Sequence, residues 1–266
     1  MEKRVYRKIW SLINLAGFIA VIILNTLATT LPLNGKDTGE LSDAYPNLFV
    51  PAGITFSIWG VIYLLLAGFI VFQIIKAFTI SEEASFLDKI GPWFAVSCAA
   101  NSLWIIAWHW QQVAVSFLIM LVILGSLIMI YLSINKNRTD KNGLFYTLVH
   151  LPFSIYLGWI TVATIANLTA LFVNAGWNGF GLSDVFWTVT VITAAVAITV
   201  IMLIIRKDIG YSLVVIWAFI GILIKRTASE IPADKGVEIA AIAGLIILGG
   251  LVLFTAVKKL MLKKGS

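Results

Sequence analysis

Three sets of uncharged rings and amides recur at helical spacing in this chain. Phe56, Trp59, Gly60 and Tyr63 fall at i, i+3, i+4 and i+7. Ser97, Asn101, Trp104 and Trp108 follow at i, i+4, i+7 and i+11, and Tyr156, Trp159, Ala163 and Asn167 at i, i+3, i+7 and i+11. Residues so spaced share one face of a 3.6-residue helix. Indole and phenol rings offer flat apolar faces on which a planar ligand stacks, and a carboxamide such as that of Asn101 or Asn167 can orient it with one hydrogen bond. Taken singly, an aromatic stripe of this kind reads first as helix packing.

What these residues lack narrows the chemistry. None of them is a carboxylate or a base, and an ionisable group at membrane depth is the usual mark of a proton relay or an ion-coupled pump. No lysine sits mid-span to hold retinal. A hydrolase needs a nucleophile with a base, or a metal cluster, and the isolated His109 and His150 supply neither, so no catalytic residue and no metal site is expected. Cys98, the one cysteine, lies in an apolar run and reads as a buried thiol, which rules out a disulfide framework.

The elements that carry the stripes are membrane helices. Of 266 residues, 60% are hydrophobic and 12% charged, against about 25% charged in a soluble domain. The fold class is therefore all-α, a polytopic membrane helix bundle. The net charge of +6 is no nucleic-acid footprint, because the bases gather at span ends: Lys3, Arg4, Arg7 and Lys8, then Lys136, Arg138 and Lys141, then Arg206 and Lys207, then Lys258, Lys259, Lys263 and Lys264. This is the positive-inside pattern. Eight spans are expected, at about 9–31, 51–75, 92–110, 113–134, 144–173, 185–205, 209–224 and 237–257, with both termini cytoplasmic. The first is too long for a signal peptide and is read as retained. The seventh is short and would leave Lys225-Arg226 outside, so a re-entrant helix is its alternative.

The span at 144–173 has no charged residue and, at 1.5 Å per residue, crosses a roughly 30 Å hydrocarbon core with some tilt. Pro152 continues its polar stripe, which should face the bundle because the carbonyl freed by a proline needs a partner. Gly158, Ala163 and Ala166 would let another helix come close. Asn14 and Asn25 share a face of the first span and suit hydrogen bonds to neighbouring helices, or the lining of a site. The connection at 32–50 holds Asp37, Glu40 and Asp43 without the interleaved spacing of a calcium loop, and reads as a solvated loop that folds over the bundle mouth as a lid. Pro51 suits a first helical turn, and His109 beside Trp110 suits an aromatic belt at the interface. The span at 113–134 is the least polar and is expected to back onto lipid. Asn137-Arg138-Thr139 matches a glycosylation acceptor only formally, since topology puts it inside.

Three stretches together resemble the TspO/MBR family, the tryptophan-rich sensory proteins related to the mitochondrial translocator protein. PAGITFSIWGVIYLLL resembles the family's second-helix pattern of Pro, Phe, Trp and Tyr. ANSLWIIAW resembles its third-helix Leu-Asn-x-x-Trp, and PFSIYLGWITVATIAN its fifth-helix proline-to-asparagine pattern. The resemblance covers about 1–175 and implies a TspO-like five-helix core with a hydrophobic pocket opening toward the first loop. It also implies a hydrophobic, tetrapyrrole-like ligand without any resident cofactor, and a possible homodimer. Carried over by position, Trp59 and Tyr63, Asn101 and Trp104, and Trp159 and Asn167 match the family's paired residues. Three features depart from the pattern. Pro51-Ala52 replaces paired prolines, Phe153, Ser154 and Ile155 separate proline from tyrosine, and no base follows the fifth span to complete a sterol motif. The last three spans, 176–266, have no counterpart in the five-helix form.

The expected function is a multi-pass protein of a cell membrane, most simply a bacterial plasma membrane, that binds a planar apolar molecule through Phe56, Trp59, Tyr63, Asn101, Trp104, Trp108, Tyr156, Trp159 and Asn167. Its partners are the lipid bilayer and that ligand, with no nucleic acid. The alternative is a permease or facilitator subunit in which the last three spans complete a path. An enzyme degrading porphyrin in light through tryptophan chemistry is a further alternative.

Overall fold

The computed structural model describes residues 2–31, 33–79, 84–135, 143–228 and 235–264. The basic connection holding Lys136, Arg138 and Lys141, and with it Asn137-Arg138-Thr139, lies outside the described residues. Those described form helices and turns with no strand. In order they are α1 (Glu2–Thr30), α2 (Thr38–Asp43), a 3-10 turn (Gly53–Ser57) leading into α3 (Ile58–Phe78), α4 (Ser85–Ile90), α5 (Trp93–His109) and α6 (Val113–Asn135). The short α7 (Gly143–Phe145) passes through a π turn (Tyr146–His150) into α8 (Leu151–Asn174). Then come α9 (Asp184–Ile201), closed by a π turn (Met202–Arg206), α10 (Ile209–Thr227) and α11 (Lys235–Lys264).

Among the described residues, seven helical segments are long and apolar enough to cross a membrane, one of them α10 with 19 residues. The stretch at 209–224 thus reaches crossing length. The expected third span, α5, has 17 residues, about 25 Å of helix, and is the shortest of the eight. Gly91 and Pro92 precede it, and a tight turn with Gln111 at φ 54° returns the chain into α6.

The core is a set of interlocking rings. Phe69 of α3, Phe94 of α5 and Phe153 of α8 meet edge to face at 4.9 to 5.6 Å between centroids, a geometry that aligns ring edges with ring faces. Amides join helices around it: Asn14 donates to Gln73 Oε1 at 3.1 Å, and Asn25 donates to Asn101 Oδ1 at 2.9 Å. Hydrogen bonds of this kind hold helices together where burial in lipid provides little driving force.

Two expectations need correction here. The segment 113–134 does not simply back onto lipid, because α6 packs along both α5 and α8. Its Ser116, Ile123, Leu127 and Ile130 are buried, and only the face bearing Leu118, Leu121 and Val122 is exposed. Low polarity marks contact with apolar helices as readily as contact with acyl chains. Pro51 does not open the second long helix, since a 3-10 turn intervenes and α3 starts only at Ile58.

Pro152 sits at the start of α8 and is buried. The wider π turn before it accommodates the ring that would clash with a carbonyl four residues back in a regular helix. Gly158 is the close-approach point foreseen from the small-residue stripe. A Cβ there would lie 2.9 Å from the Tyr211 carbonyl of α10.

Candidate functional site

Beneath α2 lies a cavity of about 650 Å³. From α1 it is lined by Asn25, Thr26 and Thr29, from the turn and α3 by Phe56, Trp59, Gly60 and Tyr63, and on the lid side by Asp37, Thr38, Glu40 and Asp43. A second space of about 40 Å³ shares Thr38, Phe56 and Trp59 with it and continues inward past Trp104, Trp108, Trp159 and Asn167. Ala163 and Ala166 also line this inner space. The small residues of α8 thus make room beside the rings as well as for α10.

The three stripes meet here. Trp59 stacks on Tyr63 at 5.3 Å and lies edge-on to Tyr156 at 5.9 Å and to Trp159 at 6.2 Å. Phe56 meets Trp159 at 5.8 Å, and Trp104 stacks on Trp108 at 6.0 Å. Of the nine residues singled out from the sequence, Phe56, Trp59, Tyr63, Trp104, Trp108, Trp159 and Asn167 line one or both spaces. Asn101 and Tyr156 stand behind them, with Asn101 donating to the Tyr156 hydroxyl at 3.1 Å and accepting from Asn25. The Asn101 amide is therefore engaged in holding α1, α5 and α8 together. Asn167 exchanges hydrogen bonds with Ser116 at 3.3 Å.

Two indole N–H groups of the inner lining have no hydrogen-bond partner among the described residues. They belong to Trp104 and Trp159, which are 5% and 3% exposed. Buried donors are paired in more than about nine cases in ten. Two unpaired ones in one cavity wall suit a molecule that brings acceptor atoms.

The lid is a built element. Asp37 accepts the Gly39 and Glu40 amides at 2.7 and 2.8 Å, and Glu40 accepts the Asp37 amide at 2.8 Å, a complete capping box that starts α2. His109 corrects the belt expectation. It is fully buried and donates from Nδ1 to the Leu33 carbonyl at 2.8 Å, a tautomer that leaves Nε2, 3.2 Å from the Thr38 hydroxyl, to accept. The backbone of the same residue accepts from Asn34 at 3.0 Å. Tyr45, after α2, lies against Trp108 at 5.8 Å, and burial raises its phenol pKa.

The last helices reach the site through the turn before α3. Ala52 N–H donates to the Gly221 carbonyl at 2.9 Å, and Trp217 Nε1 donates to the Thr55 carbonyl at 3.0 Å. Lys225 pairs with Asp43 at the end of α2. Thus α10 holds both the turn that presents Phe56 and one end of the lid.

Sequence reasoning missed three groups. The lid carboxylates line the outer cavity, so the lining is not wholly neutral. The signal was Asp37-x-x-Glu40, the spacing of a capping box. Thr38 bridges to His109 from across the fold and leaves no local signature. Asp208, between the basic pair and α10, is 3% exposed and caps that helix by accepting Tyr211 N–H at 3.1 Å. It also accepts the hydroxyls of Tyr131 at 2.6 Å and Ser154 at 2.5 Å. Asp208 lines neither cavity, and the stripe residues themselves carry no carboxylate. No group of His, Cys, Asp and Glu fit to hold a metal occurs among the described residues.

A family model described as TSPO-like protein matches residues 11–254. The match runs past residue 175 through α9, α10 and most of α11. No curated protein and no solved structure matches the chain.

Proposed function

Since this chain belongs to the TSPO-like protein family, we propose that it binds a flat, hydrophobic, acceptor-bearing small molecule of tetrapyrrole type in the cavity beneath α2, in a sensory or carrier role. The unpaired indole N–H groups of Trp104 and Trp159 carry this reading, because they turn a greasy hollow into one with an orienting polar end. The outer volume of about 650 Å³ is within the range of small-molecule sites. In this reading residues 1–175 hold the ligand and 176–266 brace the turn and lid.

The charge of the mouth refines the ligand class. Asp37, Glu40 and Asp43 line the entrance, and Lys225 offsets only the last of them. A ligand with free carboxylates meets like charge there, so a neutral or esterified planar ring is favoured over a dianionic one. The test is a titration of the purified protein with protoporphyrin dimethyl ester and with protoporphyrin, followed by ligand absorbance. Saturable binding is expected, tighter for the ester. Trp159→Phe, which keeps a ring and removes one donor, should weaken the ester by about fivefold, the equivalent of one hydrogen bond. Non-saturating uptake, identical in wild type and Trp159→Phe, refutes the site.

A further inference from the structure

A third cavity, of about 120 Å³, lies where α8 gives way through residues 175–183 to α9, and it shares no lining residue with the two described above. Phe172, Trp177 and Trp187 are the aromatic members of its lining, and Phe180 lies beside them. The Trp177 ring lies 4.4 Å from Phe172, 5.0 Å from Trp187 and 5.3 Å from Phe180. Trp187 is held in place by donating Nε1–H to the Gly179 carbonyl at 2.9 Å. Gly179 has φ 63°, and a Cβ there would stand 3.1 Å from that nitrogen, so the close approach needs glycine.

One carboxylate, that of the exposed Asp184, is among the lining residues. Asp184, the first residue of α9, lines the cavity with Thr188, and no lysine or arginine is among the lining residues. Among the described residues Asp184 has no ion pair and its side chain no hydrogen-bond partner. A carboxylate and tryptophan rings lining one cavity favour a cation, since the ring quadrupole and the acid attract the same charge. A bare Ca2+ or Mg2+ is disfavoured, because such ions take six or more oxygen ligands and one carboxylate is present. The volume admits several heavy atoms, as an alkylated ammonium needs.

We propose that this cavity binds the ammonium headgroup of a zwitterionic membrane phospholipid. The location selects the lipid over a soluble amine. The cavity lies at the end of two helices of membrane-crossing length, and its rim carries Phe180 at 79% exposure together with exposed Phe186, Leu182 and Val173. Such a rim suits the glycerol and upper acyl region of a lipid whose headgroup occupies the cavity. An ordinary aromatic belt explains the tryptophans alone. The proposal adds to such a belt the carboxylate of Asp184, which lines the same cavity as Trp177 and Trp187.

The experiment uses the full chain, delipidated in detergent, with short-chain phosphatidylcholine, phosphatidylethanolamine and phosphatidylglycerol of matched acyl chains, and native mass spectrometry as the readout. Retention of the two ammonium lipids over the glycerol lipid is expected, with affinity falling roughly tenfold in Asp184→Asn and in Trp177→Leu. Choline chloride should displace the bound lipid only at far higher concentration. Equal retention of phosphatidylglycerol, or unchanged binding in both variants, overturns the proposal in favour of a plain aromatic belt. Displacement by choline as readily as by lipid overturns the lipid source. Asp184 is exposed and packs against little, so its variant keeps the test decisive if Trp177→Leu fails to fold.

Discussion

Gly221→Ala tests whether the last helices shape the ligand site. A Cβ at Gly221 would lie 1.9 Å from Thr55 Oγ1, 2.9 Å from Thr55 Cβ and 3.0 Å from Thr55 Cγ2. Rotating the threonine cannot relieve contacts that include its own Cβ, so α10 must draw back. Overpacking of this kind costs about 1–3 kcal/mol. The same retreat lengthens the 2.9 Å bond from Ala52 to Gly221 and the 3.0 Å bond from Trp217 to Thr55, each worth about 1 kcal/mol. The expected loss is about 2–4 kcal/mol of stability, measured by reversible unfolding in mixed micelles. Porphyrin-ester affinity should fall with it, because Phe56 follows Thr55 directly and lines both cavities. Thr55→Gly removes every clashing atom, so the double variant should regain about 1–3 kcal/mol relative to the sum of the single changes. A Gly221→Ala protein within about 0.5 kcal/mol of wild type, or single effects that add, would refute the packing argument.

Three further outcomes follow from the same geometry. Thr55→Val keeps the side-chain shape and removes a buried hydroxyl that has no partner, so it should stabilise the protein by about 1 kcal/mol; a loss of stability in the same unfolding assay contradicts this. Asp208→Ala removes the carboxylate that accepts the Tyr131 and Ser154 hydroxyls and uncaps α10. It should cost about 3 kcal/mol, against about 1 kcal/mol for Ser154→Ala, and equal losses would place the stabilisation elsewhere. His109→Ala frees the Leu33 carbonyl and the Thr38 hydroxyl. Porphyrin-ester dissociation in a stopped-flow measurement should accelerate about fivefold to thirtyfold, as expected when one or two hydrogen bonds holding the lid are lost, and an unchanged rate would show that α2 does not gate the cavity.

Tertiary packing reassigned several residues whose neighbours are distant in sequence. The apolar α6 reads as a lipid-facing helix because composition carries no information on what apolar matter lies against it; the fold packs one face on α5 and α8 and leaves the face of Leu118, Leu121 and Val122 exposed. His109 reads as a belt residue because it adjoins Trp110 at a helix end, yet the lid residues that bury it are some seventy positions away. Asn101 is legible as a polar residue on an aromatic face, but its commitment to Asn25 and Tyr156 depends on helices α1 and α8. Asp208 is masked by the basic pair before it, and its hydroxyl donors come from α6 and α8.

The sequence by itself determined that the chain is an all-helical membrane bundle and which faces of three helices carry rings and amides, because hydropathy and 3.6-residue periodicity are local properties. Only the tertiary structure decided that those faces converge on two cavities that share Thr38, Phe56 and Trp59, that two indole donors there stay unpaired among the described residues, and that α10 clamps the turn beside them. Contacts between helices dozens of residues apart arise from shape fit and backbone approach at single positions such as Gly158 and Gly221. No local pattern encodes them.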